Sequence, residues 1–254
     1  MKNVSSLLAS AVFTTCMMAS GAVFAADALQ TKLSAAMADK SRPAGDVARD
    51  ANRKPIETLA FFGLKDNMTV VEIMPGGGWY TRLLAPTLKE KGKLYVAYTN
   101  PKYMGDLLEQ PAFAEVGILG EKASFTHVAG PVFNLGNAQL DVKNADMVLT
   151  FRNYHNLDAA GRKAMNEAAY NALKVGGVYG VVDHTRRPME QDNAENGRRF
   201  DPVLAIKEIQ DAGFMLVDIS ELHYQPTDAL DKEVGHDSVK GKTDRWTLKF
   251  IKKK

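Results

Sequence analysis

Residues 70–80 read VVEIMPGGGWY. A β-branched apolar run, too short for a helix, carries one carboxylate, Glu72, and breaks at Pro75 and the glycines Gly76, Gly77 and Gly78. Trp79 and Tyr80 then open WYTRLLAPTLKEKG, which predicts a helix ending at Gly92. The stretch reads as a buried strand, a Gly-rich turn and a helix. Glycines here let backbone N–H groups approach a ligand closely at a helix N-terminus. The carboxylate of Glu72 would repel a phosphate, so the turn suits a ligand bearing an ammonium group or ribose hydroxyls. Without a ligand the same residues make only a tight strand-to-helix turn.

Outward from this turn, strands and helices alternate. Upstream, DVARDANRKPIETLAFFG predicts a helix broken near Pro55 and closed by Gly63. Downstream, KLYVAYT is a second strand, MGDLLEQPAFAEVGI is helical, SFTHVA is a third strand and GPVFNLGNAQLDVKN is a loop. ADMVLTF follows as a fourth strand, LDAAGRKAMNEAAYNALKVGG as a helix with a Gly-Gly stop, and GVYGVVD as a fifth strand. DPVLAIKEIQDAGF is a helix with Asp201 as N-cap and Pro202 at its first position. MLVDISELH and DRWTLKFIK close the chain as strands. Such alternation predicts one α/β domain of about seven strands, mostly parallel, with helices on both faces. No helix separates the final two strands, so the last is expected antiparallel. HTRRPMEQDNAENGRRF is an insertion long enough to have a function.

The chain has 254 residues, 45% hydrophobic and 24% charged, which suits one globular core. A formal charge of +2 gives no electrostatic footprint for nucleic acid, so none is expected as partner. Lys2, the uncharged LLASAVFTTCMMASGAVF and the small residues of VFAA form a secretory signal pattern over residues 1–25. The uncharged run approaches bilayer-spanning length, but its Ser, Thr and Gly favour cleavage over anchoring. Residues 26–45 read as a peripheral helical lead-in and 46–254 as the main domain. Cys16, the only cysteine, lies in the signal, so the cleaved chain has no thiol chemistry and no membrane span. The expected location is the periplasm or the medium.

In an open α/β sheet, ligands bind beyond the carboxyl ends of the strands. That rule collects Glu72 with Pro75–Gly78, then Thr99 and Asn100, then Arg152, Asn153, Tyr154, His155 and Asn156. Asp183, His184, Thr185, Arg186 and Arg187 follow the fifth strand. An antiparallel last strand adds Thr243, Asp244 and Arg245. His155 is the best candidate base. Arg152 and Asn153 could orient an acidic or polar substrate, or Arg152 could tie its loop to Asp183. Asp183 and His184 are adjacent on a strand and point to opposite sides. No HxH or HExxH spacing occurs, so no metal is expected. Gly-x-Ser-x-Gly is absent too, which leaves familiar nucleophilic triads without an anchor.

VVEIMPGGGWYTRLLAP resembles the first motif of class I S-adenosylmethionine (SAM)-dependent methyltransferases, whose usual form is acid-x-Gly-x-Gly-x-Gly. ADMVLTFRNYHNL, LKVGGVYGVVDH, and DAGFML with DRWTLKF resemble that superfamily's fourth, fifth and final strands, in order over about residues 46–252. The chain is similar above all to exported, methyltransferase-like bacterial proteins. The resemblance implies a Rossmann-like methyltransferase fold with SAM as cofactor and a small or polar acceptor as substrate. It implies that Glu72, Gly76 and Gly78, in one loop with Pro75 and Gly77, lie against the methionine moiety and sugar. It also puts His155, Arg152 and Asn153 on the acceptor side, and Asp183, after the fifth strand, joins them as a catalytic candidate. Three departures stand out. Met74 occupies the first glycine's place, either filling space under the loop or narrowing the pocket. The second strand ends in VAYTN, so Asn100 or Thr99 must hold the ribose where the family usually has an acid. VAGPVF lacks the acid that often meets the adenine amine. These departures and the export signal support an alternative, an exported binding or interaction protein that kept the fold without SAM catalysis.

Overall fold

The computed structural model describes residues 28–254. The signal pattern of residues 1–25 lies outside the described residues. The seed of the fold is β1 (Thr69–Ile73), buried at four of its five positions. It pairs in parallel with β2 (Lys93–Ala97) on one side and β6 (Ala145–Phe151) on the other. With β3 (Gly117–Leu119), β7 (Leu173–His184), β8 (Phe214–Ser220) and β9 (Arg245–Lys252) the sheet has the order β3-β2-β1-β6-β7-β9-β8. β9 is antiparallel to both its neighbours. The order reverses at β1 and β6, and the crevice at such a switch point is where ligands bind.

Alternation along the strands loads both faces. Val70, Met147 and Leu149 pack against α1 (residues 28–37), α4 (Pro55–Phe62) and α5 (Thr81–Leu88) through Leu33, Leu59, Phe62 and Leu84. Val71, Val148, Val181 and Phe250 face α7 (Ala159–Ala172) and α8 (Pro202–Asp211) through Met165, Ala169 and Ile209. Glu72 is two residues from Val70, so it points to the α5 side. The lead-in is more than peripheral, because Leu29, Leu33 and Ala36 of α1 are part of that core.

The stretch before Gly63 forms three short helices, α2 (Ala44–Val47), α3 (Asp50–Arg53) and α4. The break falls at Lys54, whose φ is 41°, and Pro55 restarts the helix without needing a donor. Gly63 closes α4 at φ 82°. Asp201 caps α8 by accepting from the N–H groups of Val203 and Leu204.

Three expectations are corrected. SFTHVA is not in the main sheet. It forms β4 (Ser124–Ala129), exposed at every position, which pairs antiparallel with β5 (Val132–Gly136) in a separate hairpin. β5 lies within the expected loop. The third strand of the main sheet is β3, inside the segment expected to be helical. Its three residues pair in parallel with Tyr95, Val96 and Ala97 of β2. Before it, Gly105 (φ 56°) and Pro111 cut the helix to α6 (Pro101–Met104) and two 3-10 turns. The third correction is the Gly-Gly stop. α7 passes directly into β7, and Gly176 and Gly177 lie in a bulge where pairing jumps from Ala145–Leu173 to Met147–Val178. A Cβ on Gly177 would lie 2.9 Å from the carbonyl of Lys174.

Among the described residues, no helix is long and apolar enough to cross a membrane.

Candidate functional site

At the end of β1 the backbone turns left-handed at every second residue: Met74 at φ 52°, Gly76 at 58° and Gly78 at 79°. These are the three motif positions. Glycine adopts this conformation freely, whereas Met74 bears a cost of about 1–2 kcal/mol. Neighbouring strands hold it there. Its N–H donates to the carbonyl of Ala97, and its own carbonyl accepts from the Asn153 amide at 2.9 Å. Its side chain packs against the core under the loop and also lines the cavity beside it. Gly78 is required by packing as well, because a Cβ there would lie 2.3 Å from Leu107 Cδ2. Gly76 meets nothing within 4 Å.

Glu72 is 2% exposed and accepts a hydrogen bond from Thr81 Oγ1 at 2.7 Å. Burial pushes its carboxyl up to about 7, and Arg53 opposes that shift only in part. Glu72, Arg53, Arg152 and the Pro75–Gly77 loop line a cavity of about 140 Å³. Helices α2 and α3 form its lid. Trp79 Nε1 donates to the carbonyl of Asp46 at 2.9 Å, and the Arg53 guanidinium lies 4.4 Å from the Trp79 ring centre. Tyr80 stacks on Phe151 with centroids 3.6 Å apart. Burial, with Arg152 nearby, pushes Arg53 down to about 8. Its Nη2 is buried without an acceptor among the described residues.

The turn after β6 brings the acceptor-side candidates to the same edge. Asn153 donates to the Met74 carbonyl and to Thr150 Oγ1, so it fixes the glycine loop as well as lining the cavity. Arg152 does not tie its loop to Asp183, since that carboxylate is held by His155. His155 Nδ1 and Asp183 Oδ1 are 2.6 Å apart, and Asp183 is fully buried. Asp183 also accepts from the backbone N–H groups of His155 at 3.0 Å and His184 at 2.6 Å. A carboxylate only accepts, so Nδ1 carries the proton and Nε2 presents a lone pair. His184 turns the other way, to Thr243 Oγ1 at 2.8 Å, and burial and the neighbouring His155 push it well below the usual imidazole range. Its ring is 5.6 Å from that of His155. No group of three metal-ligating side chains occurs among the described residues.

His155 lines a second, larger pocket of about 800 Å³, walled by the β4–β5 turn, Arg162, Arg186 and Phe200. The insertion, residues 185–200, forms one side. Asn100 lines neither cavity. It is exposed, its side chain accepts from the Lys102 N–H at 3.0 Å, and its carbonyl accepts from Tyr103 and Met104, so it caps α6.

Sequence reasoning missed Thr81 and Arg53. Thr81 had a signal, because a buried acid needs a donor and the first turn of the following helix is the nearest source. Arg53 had none, because an arginine in a polar helical stretch ordinarily faces solvent.

No protein-family model and no curated protein matches this sequence. Solved structures do match. A SAM-dependent methyltransferase from Aquifex aeolicus is similar over 87% of this chain and 97% of its own, at 16% identity and a TM-score of 0.56. A SAM-dependent methyltransferase from Mesorhizobium loti is similar over 78% of this chain and 97% of its own, at 12% identity and a TM-score of 0.50. The [4+2]-cyclase SpnF is similar over 80% and 81%, at 12% identity and a TM-score of 0.53. The chain therefore has the Rossmann-like fold of class I SAM-dependent methyltransferases, a fold that also carries other chemistry.

Proposed function

We propose that the protein is a SAM-dependent methyltransferase acting on a small polar acceptor. The observation that carries this reading is the pairing of two features at one sheet edge. One is the small cavity lined by Glu72 and by Arg53, which has no ion-pair partner among the described residues. The other is the His155–Asp183 pair beside the larger pocket.

The residues of the small cavity fit the amino-acid end of SAM. The Glu72 carboxylate, steadied by Thr81, matches an ammonium group, and Arg53 Nη2 lacks the acceptor that a carboxylate would supply. At about 140 Å³ the cavity is below the roughly 300 Å³ at which drug-sized pockets begin. It suits that end of the cofactor and not the whole of it. When bound, SAM supplies an electrophilic methyl group.

The chain's own part is positioning and proton removal. His155 Nε2 takes the proton from an acceptor hydroxyl or amine presented in the larger pocket. Asp183 holds the imidazole in the required tautomer and stabilises the imidazolium that forms. Residues 1–25 direct export, and the protein acts in the periplasm or the medium. Both statements rest on the sequence pattern alone.

A second reading has its own support. Met74 stands in the first motif position and Leu107 rests against Gly78, which suits a binding protein that kept the fold and lost the cofactor. Calorimetric titration of the purified protein with SAM and with S-adenosylhomocysteine separates the two. Saturable binding of both, lost in Arg53→Gln, supports the methyltransferase. The absence of heat at millimolar ligand leaves the binding protein.

A further inference from the structure

Arg53, Arg152 and Arg245 come from α3, the turn after β6 and the first residue of β9. Arg53 and Arg152 line the same cavity. Arg245 Nη1 donates to the carbonyl of Asn52, the residue before Arg53, at 2.8 Å. Arg53 is 4% exposed and Arg245 6%. Among the described residues no carboxylate forms an ion pair with any of the three. Arg53 Nη2 and Arg245 Nε are buried without an acceptor. Among the described residues, the hydrogen bond of Arg152 is from its backbone N–H to the carbonyl of Val182.

This chain neutralises its buried arginines elsewhere. Arg42 makes a two-bond pair with Asp50, Arg162 with Glu208, and Arg199 with Asp228. The acids near the cluster are already engaged. Asp46 pairs with Arg49 and Arg82, Glu72 accepts from Thr81, Asp183 holds His155, and Asp244 accepts from the Gln225 N–H. Gathering three cations, two buried and one partly buried, without an ion-paired carboxylate costs several kcal/mol, and the cost is recovered when an anion arrives.

We propose that Arg53, Arg152 and Arg245 form a site for the carboxylate or phosphate group of the acceptor, which is therefore an anionic molecule. Describing that anion as the acceptor's rests on the methyl-transfer reading; the anion site itself does not. SAM brings one carboxylate, which Arg53 can satisfy. The Arg152 guanidinium, which lines the same cavity, and Arg245 Nε, which has no acceptor among the described residues, remain for a second anion.

Calorimetric titrations with inorganic phosphate and with malonate, with and without saturating S-adenosylhomocysteine, test this in the parent protein, Arg152→Gln and Arg245→Gln. The site requires that an anion binds and that it still binds when S-adenosylhomocysteine is present. Arg152→Gln should weaken the anion by about tenfold or more, a larger loss than it brings to S-adenosylhomocysteine. The melting temperature of ligand-free Arg152→Gln should equal or exceed the parent's, because an uncompensated charge has been removed. Failure of both anions to bind the parent, or unchanged anion affinity in both variants, overturns the site. Mutual exclusion of anion and S-adenosylhomocysteine also overturns it, since the cluster would then serve the cofactor's own carboxylate. If phosphate binds through Arg152 and S-adenosylhomocysteine does not bind at all, the anion site stands and methyl transfer falls.

Discussion

Glu72 carries the clearest consequence at the scale of one residue. Its carboxyl is raised from 4.5 to about 7 in the folded protein, so the unfolded chain gives up that proton first. Stability must then fall as pH rises from about 4.5 to about 7, by about 3 kcal/mol, and stay level above that. Glu72→Gln should raise stability by that order at pH 8 and change it little at pH 4.5, in urea unfolding at the two pH values. His184 and His223 are shifted down by burial and act in the opposite sense, losing stability as pH falls below about 6.5. Both are present in parent and variant, so the difference between the two cancels them. Asp183 offers a second test. Asp183→Asn puts an amide donor against His155 Nδ1 and drives the proton to Nε2. We expect turnover to fall by about 10²–10⁴-fold, read in a methyl-transfer assay, with S-adenosylhomocysteine affinity unchanged. Both groups are marked in the sequence by their place at strand ends, but their partners are not. Glu72 was legible from its place ahead of the glycines, but its protonation was not, because burial is set by α3 and α5 closing over it.

Among the elements, the glycine loop separates conformational from steric demand. Gly76→Ala adds a Cβ in open space at φ 58°, so only the backbone preference is lost, about 1 kcal/mol. Gly78→Ala carries a similar backbone cost and drives its Cβ into Leu107. It should be the more destabilising of the two in chemical denaturation, and it should displace residues 101–107, read as faster amide hydrogen exchange there. The sequence marked this turn but could not rank its glycines, since Leu107 lies 29 positions after Gly78. α8 behaves differently, because its start is written locally. Asp201 accepts from Val203 at 2.7 Å and Leu204 at 3.3 Å, so Asp201→Ala should cost about 1 kcal/mol or more.

Over the whole molecule, the insertion at 185–200 is pinned by a buried ion pair. Arg199 meets both oxygens of Asp228 at 2.9 Å, with both side chains fully buried. Asp228 also accepts from the N–H groups of Leu230 and Asp244. Breaking the pair by Asp228→Ala should cost about 3–5 kcal/mol, and Arg199→Met in the same background should restore part of it, both read from urea unfolding. Because this insertion walls the larger pocket, the single variant should also weaken acceptor binding. A loop read from sequence as an insertion of uncertain role thus becomes a shaped wall.

The amino-acid sequence alone determined the alternation of strands and helices outside residues 104–136, the antiparallel last strand, the Glu72-to-Gly78 turn and the Asp201 cap. These are written in periodicity and local backbone chemistry, which act over a few residues. Tertiary structure alone decided that Gly117–Leu119 completes the sheet while SFTHVA leaves it. It also joined His155 to Asp183 across 28 positions, brought Arg53 and Arg152 to one cavity and tied Arg245 to the residue before Arg53. Periodicity specifies which face of an element is buried. It does not specify the partner, which is chosen by packing and electrostatics between segments far apart in the chain.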